Sequence, residues 1–175
     1  MDKDEKSLNQ INVEEMRERM KQVKKFSPTM CTAKWLQSTV YLMNGYTHSC
    51  HHPAPHKIPL DEIIRDPSAL HNTQHKMKAR QEMWNGQRPS ECDYCWNIED
   101  LGQDYISDRT YKSTDSEWSM PFIDQIKKCG AKKPINPTYM EIAFENTCNL
   151  KCAYCSPDIS SKWLEEVRTH GAYPT

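Results

Sequence analysis

The sequence predicts an α+β fold: a cysteine-rich N-terminal module made of a β-hairpin plus helices, followed by the start of an α/β unit. Three observations point there. Apolar residues recur at helical spacing from Val13, and "TVYLMNGYTHSC" sets two β-rich runs on either side of Asn44-Gly45. An alternating stretch, "PTYMEIAFEN", then runs directly into the cysteine-dense loop "CNLKCAYC". Composition shifts divide the chain into an N-terminal helix or arm (1–27), a cysteine-bearing module (28–106), a connector (107–135) and a last unit (136–175).

Taken in order, residues 1–11 are polar and read as a frayed end. Asn12 and Glu15 form a capping box, and Val13, Met16, Met20, Val23 and Phe26 then share one helical face up to Pro28. "TVYLM" and "YTHSC" read as strands joined at Asn44-Gly45, because both turn positions tolerate positive φ, and Cys50 ends the second strand. His51 to Pro59, rich in His and Pro, reads as loop. Asp66-Pro67 opens a helix by capping and by Pro at its first position, and Asn85-Gly86 closes it. Cys92 and Cys95 fall on a turn beyond it. Residues 107–135 are polar, with one short amphipathic piece around "MPFIDQIKKCG". Tyr139 to Phe144 reads as a buried strand, and "SSKWLEEVRTHGAYPT" contains a final helix.

The 175 residues carry a net charge of -1, with 27% charged and 37% hydrophobic residues, so no global field favours nucleic acid or an anionic membrane. The basic run "RERMKQVKKF" is interleaved with acids and reads as a solvated helix face. "MDKDEKSLNQ" lacks the apolar region of a secretory signal, and no run of about 18 apolar residues could span a bilayer. The expected location is the reducing cytoplasm. There, eight cysteines favour metal ligation or catalysis over disulfides.

Cys148, Cys152 and Cys155 form a C-x3-C-x2-C loop leaving a strand. Zinc takes four protein ligands, or three and a water. A cubane iron–sulfur cluster is wider and suits a loop that wraps around it; three thiolates on four irons leave one iron open. Spacing alone leaves both metals open.

At these residues the chain resembles the radical SAM superfamily, whose cluster loop follows the first strand of a TIM-like partial barrel and often carries an aromatic before its last cysteine, here Tyr154. The resemblance implies that Cys148, Cys152 and Cys155 ligate a [4Fe-4S] cluster and that S-adenosylmethionine chelates the open iron. It further implies reductive cleavage to methionine and a 5′-deoxyadenosyl radical, which abstracts hydrogen from substrate. Tyr154 would pack near the adenine. An electron donor such as flavodoxin or ferredoxin is implied, and peptides or proteins are common substrates of related enzymes.

Cys31, the hairpin and Cys50, completed by Cys92 and Cys95, resemble a twitch/SPASM-like auxiliary-cluster module. In better-known members that module follows the barrel, whereas here it precedes it. Four thiolates could hold a second [4Fe-4S] cluster or a zinc ion; the resemblance favours the cluster. His48, His51, His52 and His56 flank Cys50 and offer a mixed Cys/His zinc site, but the expectation is exposed loop residues. Cys129 reads as an unligated thiol. No side chain stands out as a catalytic acid, base or nucleophile.

A full barrel takes about 250 residues, and only Ser156 to Thr175 follow the loop. The expectation is therefore a part of a longer protein, or a split or truncated gene product, poorly active alone. A non-catalytic iron–sulfur electron-transfer protein and a zinc-binding interaction module are the alternatives.

Overall fold

The computed structural model describes residues 13–102 and 104–172. Among them are eight α-helices and one small mixed sheet, an α+β arrangement. None of those helices is long and apolar enough to cross a membrane. The expected frayed end and the Asn12 half of the capping box lie outside the described residues.

Helix α1 (Val13–Lys24) forms where the apolar stripe predicts it. It buries Met16, Met20 and Val23, and places Glu14 and Glu15 in its first turn and Lys21 and Lys24 in its last, as the helix dipole favours. A short helix α2 (Ala33–Leu36) leads without a break into β1 (Gln37–Tyr41). β2 (Tyr46–His48) returns antiparallel to it, with Tyr41 opposite Tyr46.

The connection is thus a four-residue loop, not the two-residue Asn-Gly turn the sequence predicts. Only Gly45 takes a positive φ, at 71°, and no described non-glycine residue does. The Asn44 side chain accepts instead from the Tyr46 amide at 3.1 Å. Cys50 lies two residues past the strand end. The segment read as loop contains β3 (His56–Lys57), paired with β2, and is followed by α3 (Leu60–Arg65).

The helix expected from Asp66 to Trp84 is two pieces. Asp66 caps a 3-10 turn at Pro67–Leu70, and Thr73 caps α4 (Gln74–Trp84) by accepting from the Lys76 amide. Each has its own cap, so the chain restarts. Cys92 closes a 3-10 turn and Cys95 sits inside α5 (Asp93–Glu99), so the expected turn is largely helical. Then come α6 (Asp108–Ser113), against which α1 packs, and α7 (Ile123–Cys129), the short amphipathic piece.

The core gathers Met20, Val23, Met30, Leu36 and Met83 around Trp35, which is fully buried and donates its indole N–H to the Gly130 carbonyl at 2.8 Å. Beside it runs a polar seam. Arg80 on α4 donates to the Lys34 carbonyl at 2.7 Å and to Asn72 Oδ1 at 2.6 Å, tying α4 to α2 through satisfied bonds.

β4 (Tyr139–Ala143) pairs in parallel with β1, Gln37 opposite Tyr139 and Tyr41 opposite Ala143, giving the order β3-β2-β1-β4. The expected buried strand is an edge strand with open faces instead: Met140 is 48% exposed, and Phe144, just beyond the strand, 70%. An edge strand's side chains are covered only where something packs over the sheet face. Helix α8 (Ser161–His170) follows the cysteine loop and is capped by Ser160, whose hydroxyl accepts from the Trp163 amide.

Candidate metal centres

Three segments bring the upstream cysteines together. Cys31 precedes α2; β2, running back along β1, returns the chain to the same end of the sheet and delivers Cys50; the 3-10 turn and α5 present Cys92 and Cys95. All four thiols are buried and line one small cavity of about 20 Å³. Burial is the chief cause that pushes up the pKa values of Cys50, Cys92 and Cys95, to about 12 for Cys92 and about 11 for Cys95. Repulsion from the neighbouring sulfurs adds to it, Cys31 acting on each of these three. These three thiols stay protonated at neutral pH, and a soft cation that displaces their protons would relieve the repulsion.

Cations line the same cavity: Lys34 from α2, and Arg109 and Lys112 one helical turn apart on α6. Burial alone would depress the Lys34 pKa, but Cys92 and the ion pair with Glu91 outweigh it and hold it above the ordinary lysine value. Arg109 is paired with Glu99 and donates to the Met30 carbonyl at 2.7 Å; Lys112 lies 3.0 Å from Asp108. The sequence reading missed these three. Their signal was Lys34 three residues after a cysteine and a basic pair at i, i+3 in "DRTYK".

Of the four histidines only His51 is the exposed loop residue expected; the other three are buried or half-buried. His48 is buried, bonded to the Tyr41 hydroxyl at 3.2 Å, with its pKa lowered to about 4 by burial and by His51. His51 reaches Glu141 at 3.3 Å. His52 does line the cavity, but its Nε2 is 2.8 Å from Asp108 and its ring stacks on Tyr94 at 3.8 Å. His56 is 2.9 Å from Thr73 Oγ1 and stacks on His75, its pKa lowered to about 4, chiefly by burial. Cys129 is half-buried, its thiol donating to the Gly130 carbonyl at 3.0 Å.

The downstream cysteines lie beyond the C-terminal end of β4, the far end of the sheet. β1 runs about 13 Å from its first residue to its last at about 3.3 Å per residue, and the two cysteine sets belong to segments at its opposite ends. Cys148, Cys152 and Cys155 are half-buried on a loop clamped at the backbone. The Trp163 indole donates to the Cys152 carbonyl at 2.9 Å, and the Cys155 amide to the same oxygen at 3.0 Å. Tyr154 is 93% exposed, and a hydrogen bond with the Cys152 side chain pushes its pKa up.

Among the described residues, no three of His, Cys, Asp or Glu are gathered tightly enough to hold a single metal ion. The upstream thiols line a cavity wall instead of crowding a point. The donor chemistry fits a thiolate-bound group at both places: four soft, buried sulfurs within a cationic wall upstream, three on one clamped loop downstream. Compared with protein-family models, curated proteins and solved structures, the chain gives no significant match.

Proposed function

We propose that this chain is a radical SAM iron–sulfur protein, with a substrate-activating centre at Cys148, Cys152 and Cys155 and an auxiliary centre at Cys31, Cys50, Cys92 and Cys95. The observation that carries the reading is the convergence of four cysteines from three segments on one buried cavity, in a chain that also holds a C-x3-C-x2-C loop at the end of a parallel strand. We take β4 and α8 as the first βα unit of a TIM-like partial barrel.

Bound at the downstream loop, a [4Fe-4S] cluster with S-adenosylmethionine would supply reductive cleavage of the sulfonium and a 5′-deoxyadenosyl radical for hydrogen abstraction. The chain's own part is positioning. Ser161 and Trp163, both on α8, hold the loop backbone by hydrogen bonds to Cys148 and Cys152. The thiols make only local bonds, Cys148 with Leu150, Cys155 with Ser156 and Cys152 with Tyr154, which a cluster would replace. Tyr154, exposed beside Cys152, would cover the adenine. Upstream, burial excludes water from the thiols and the cations offset their negative charge once they are deprotonated. An electron donor of the flavodoxin or ferredoxin kind would serve the downstream centre, and a peptide or protein is the proposed substrate class.

Iron, sulfide and zinc are to be measured on protein purified without oxygen, with EPR before and after reduction. About eight irons per chain and a reduced signal that S-adenosylmethionine perturbs are expected, together with methionine and 5′-deoxyadenosine as products. Zinc alone, with no response to S-adenosylmethionine after reconstitution, would sink the proposal and leave an interaction module.

A further inference from the structure

The cavity of the upstream cysteines has an ordered electrostatic wall. Three ion pairs surround it, and all three point the same way. The Lys34 side chain is 3% exposed and its partner Glu91 21%; Arg109 is 3% and Glu99 20%; Lys112 is 17% and Asp108 36%. In each pair the cation is the inner member and the carboxylate the outer one. All three cations line the cavity, and of the three carboxylates only Asp108 does. A structural zinc site has no redox state to adjust, and three buried cations are a costly way to fill a wall.

We propose that Lys34, the inner member of its pair with Glu91, raises the reduction potential of the auxiliary iron–sulfur centre, with Arg109 and Lys112 reinforcing it; this rests on the iron–sulfur reading of that site. The physics is direct. A cubane on four thiolates is anionic, and one added electron makes it more so, with no bond made or broken and no proton moved. A fixed positive charge beside the sulfurs favours the reduced form, and a buried wall screens it weakly. Lys34 is taken as the lead residue of the three, because it is buried and lines the same cavity as Cys92 and Cys50.

The test uses the full chain carrying Cys148→Ala, Cys152→Ala and Cys155→Ala, so that only the upstream centre contributes. Potentials are read by EPR during titration with dithionite through mediator dyes, and iron content is checked for each variant. Lys34→Met is expected to keep its iron and to lower the reduced-to-oxidised ratio at fixed potential about tenfold, which is about 59 mV for a one-electron couple. Lys34→Arg should restore the original value. Glu91→Gln, which removes the compensating negative charge, should move the potential the other way.

An iron-loaded Lys34→Met protein with an unchanged potential would overturn the inference and leave the cluster assignment standing. Zinc in place of iron in the parent protein would overturn both. Failure of both Lys34→Met and Glu91→Gln to load iron, where the parent loads it, also overturns the inference, since the pair would then be needed for assembly and not for the potential.

Discussion

The hydroxyl of Ser161 closes a two-way bridge to the backbone of Cys148: it accepts from the Cys148 amide at 3.0 Å and donates to the Cys148 carbonyl at 3.1 Å. The first residue of α8 thereby fixes the first cysteine of the downstream loop across thirteen positions of chain. Ser161→Ala should loosen the loop by two hydrogen bonds, each contributing roughly 0.5–1.5 kcal/mol. Faster iron release to a chelator at the downstream centre is the expected readout, with thermal stability of the remainder unchanged. Equal release rates would show that the loop does not depend on this bridge.

The two centres should be separable by mutation. Cys152→Ala should reduce the iron content from about eight to about four per chain and abolish formation of 5′-deoxyadenosine, while leaving the fold intact. Cys92→Ala should also remove about four irons but should lower the melting temperature markedly, because its site lies inside the core cluster with Met83 and Trp96. Equal melting temperatures for the two variants would contradict this division of labour.

Lys76 gives the folded chain a pH dependence of its own. Its side chain is buried, with Nζ bonded to Thr47 Oγ1 at 2.7 Å and Ser38 Oγ at 3.1 Å. Burial, then Arg80 nearby, lower its pKa from 10.5 to about 7. Between those values the unfolded chain holds a proton that the folded chain has lost, so stability should rise with pH above about 7, by up to about 1.4 kcal/mol per unit. Below pH 7 that contribution is gone. Lys76→Met should flatten the difference between melts at pH 7 and pH 8.5, measured by circular dichroism. An unchanged slope would mean that the amine stays charged in the fold.

Trp35 joins the core to the segment after α7 through its bond to Gly130. Trp35→Ala should cost about 3–5 kcal/mol from lost burial and the cavity left behind, with the Gly130 carbonyl left to the weak Cys129 thiol donor alone. Urea denaturation will read this as a drop in midpoint. Trp35→Phe should recover most of it.

What the sequence reveals follows the range of the interactions involved. Helix α1, the hairpin, α7 and α8 were legible because each is specified by spacing or a breaker within a dozen residues, such as Val13, Met16, Met20 and Val23 for α1. The longer hairpin loop was not, because Asn44 uses its side chain in place of a left-handed backbone. Nor was the exposure of β4: its apolar alternation looks the same whether a face is covered or open. The four upstream cysteines could be grouped from the sequence by resemblance, but the cations around them come from helices up to 81 residues away, as Arg109 does when it reaches the Pro28 carbonyl. No local pattern encodes that approach.

The parallel pairing of β1 with β4 has a consequence for synthesis on the ribosome. Thr39 and Glu141, bonded at 3.0 Å across those strands, are 102 residues apart in the chain. At about 5–20 residues per second, β1 is made about 5–20 s before its partner exists. Through that interval one edge of the hairpin sheet has no strand to accept its backbone bonds, and before it ends every upstream cysteine has been synthesised. Loading of the proposed upstream centre would then precede completion of the sheet. The earliest nascent form able to fill it would be one in which Cys95 has cleared the ribosome.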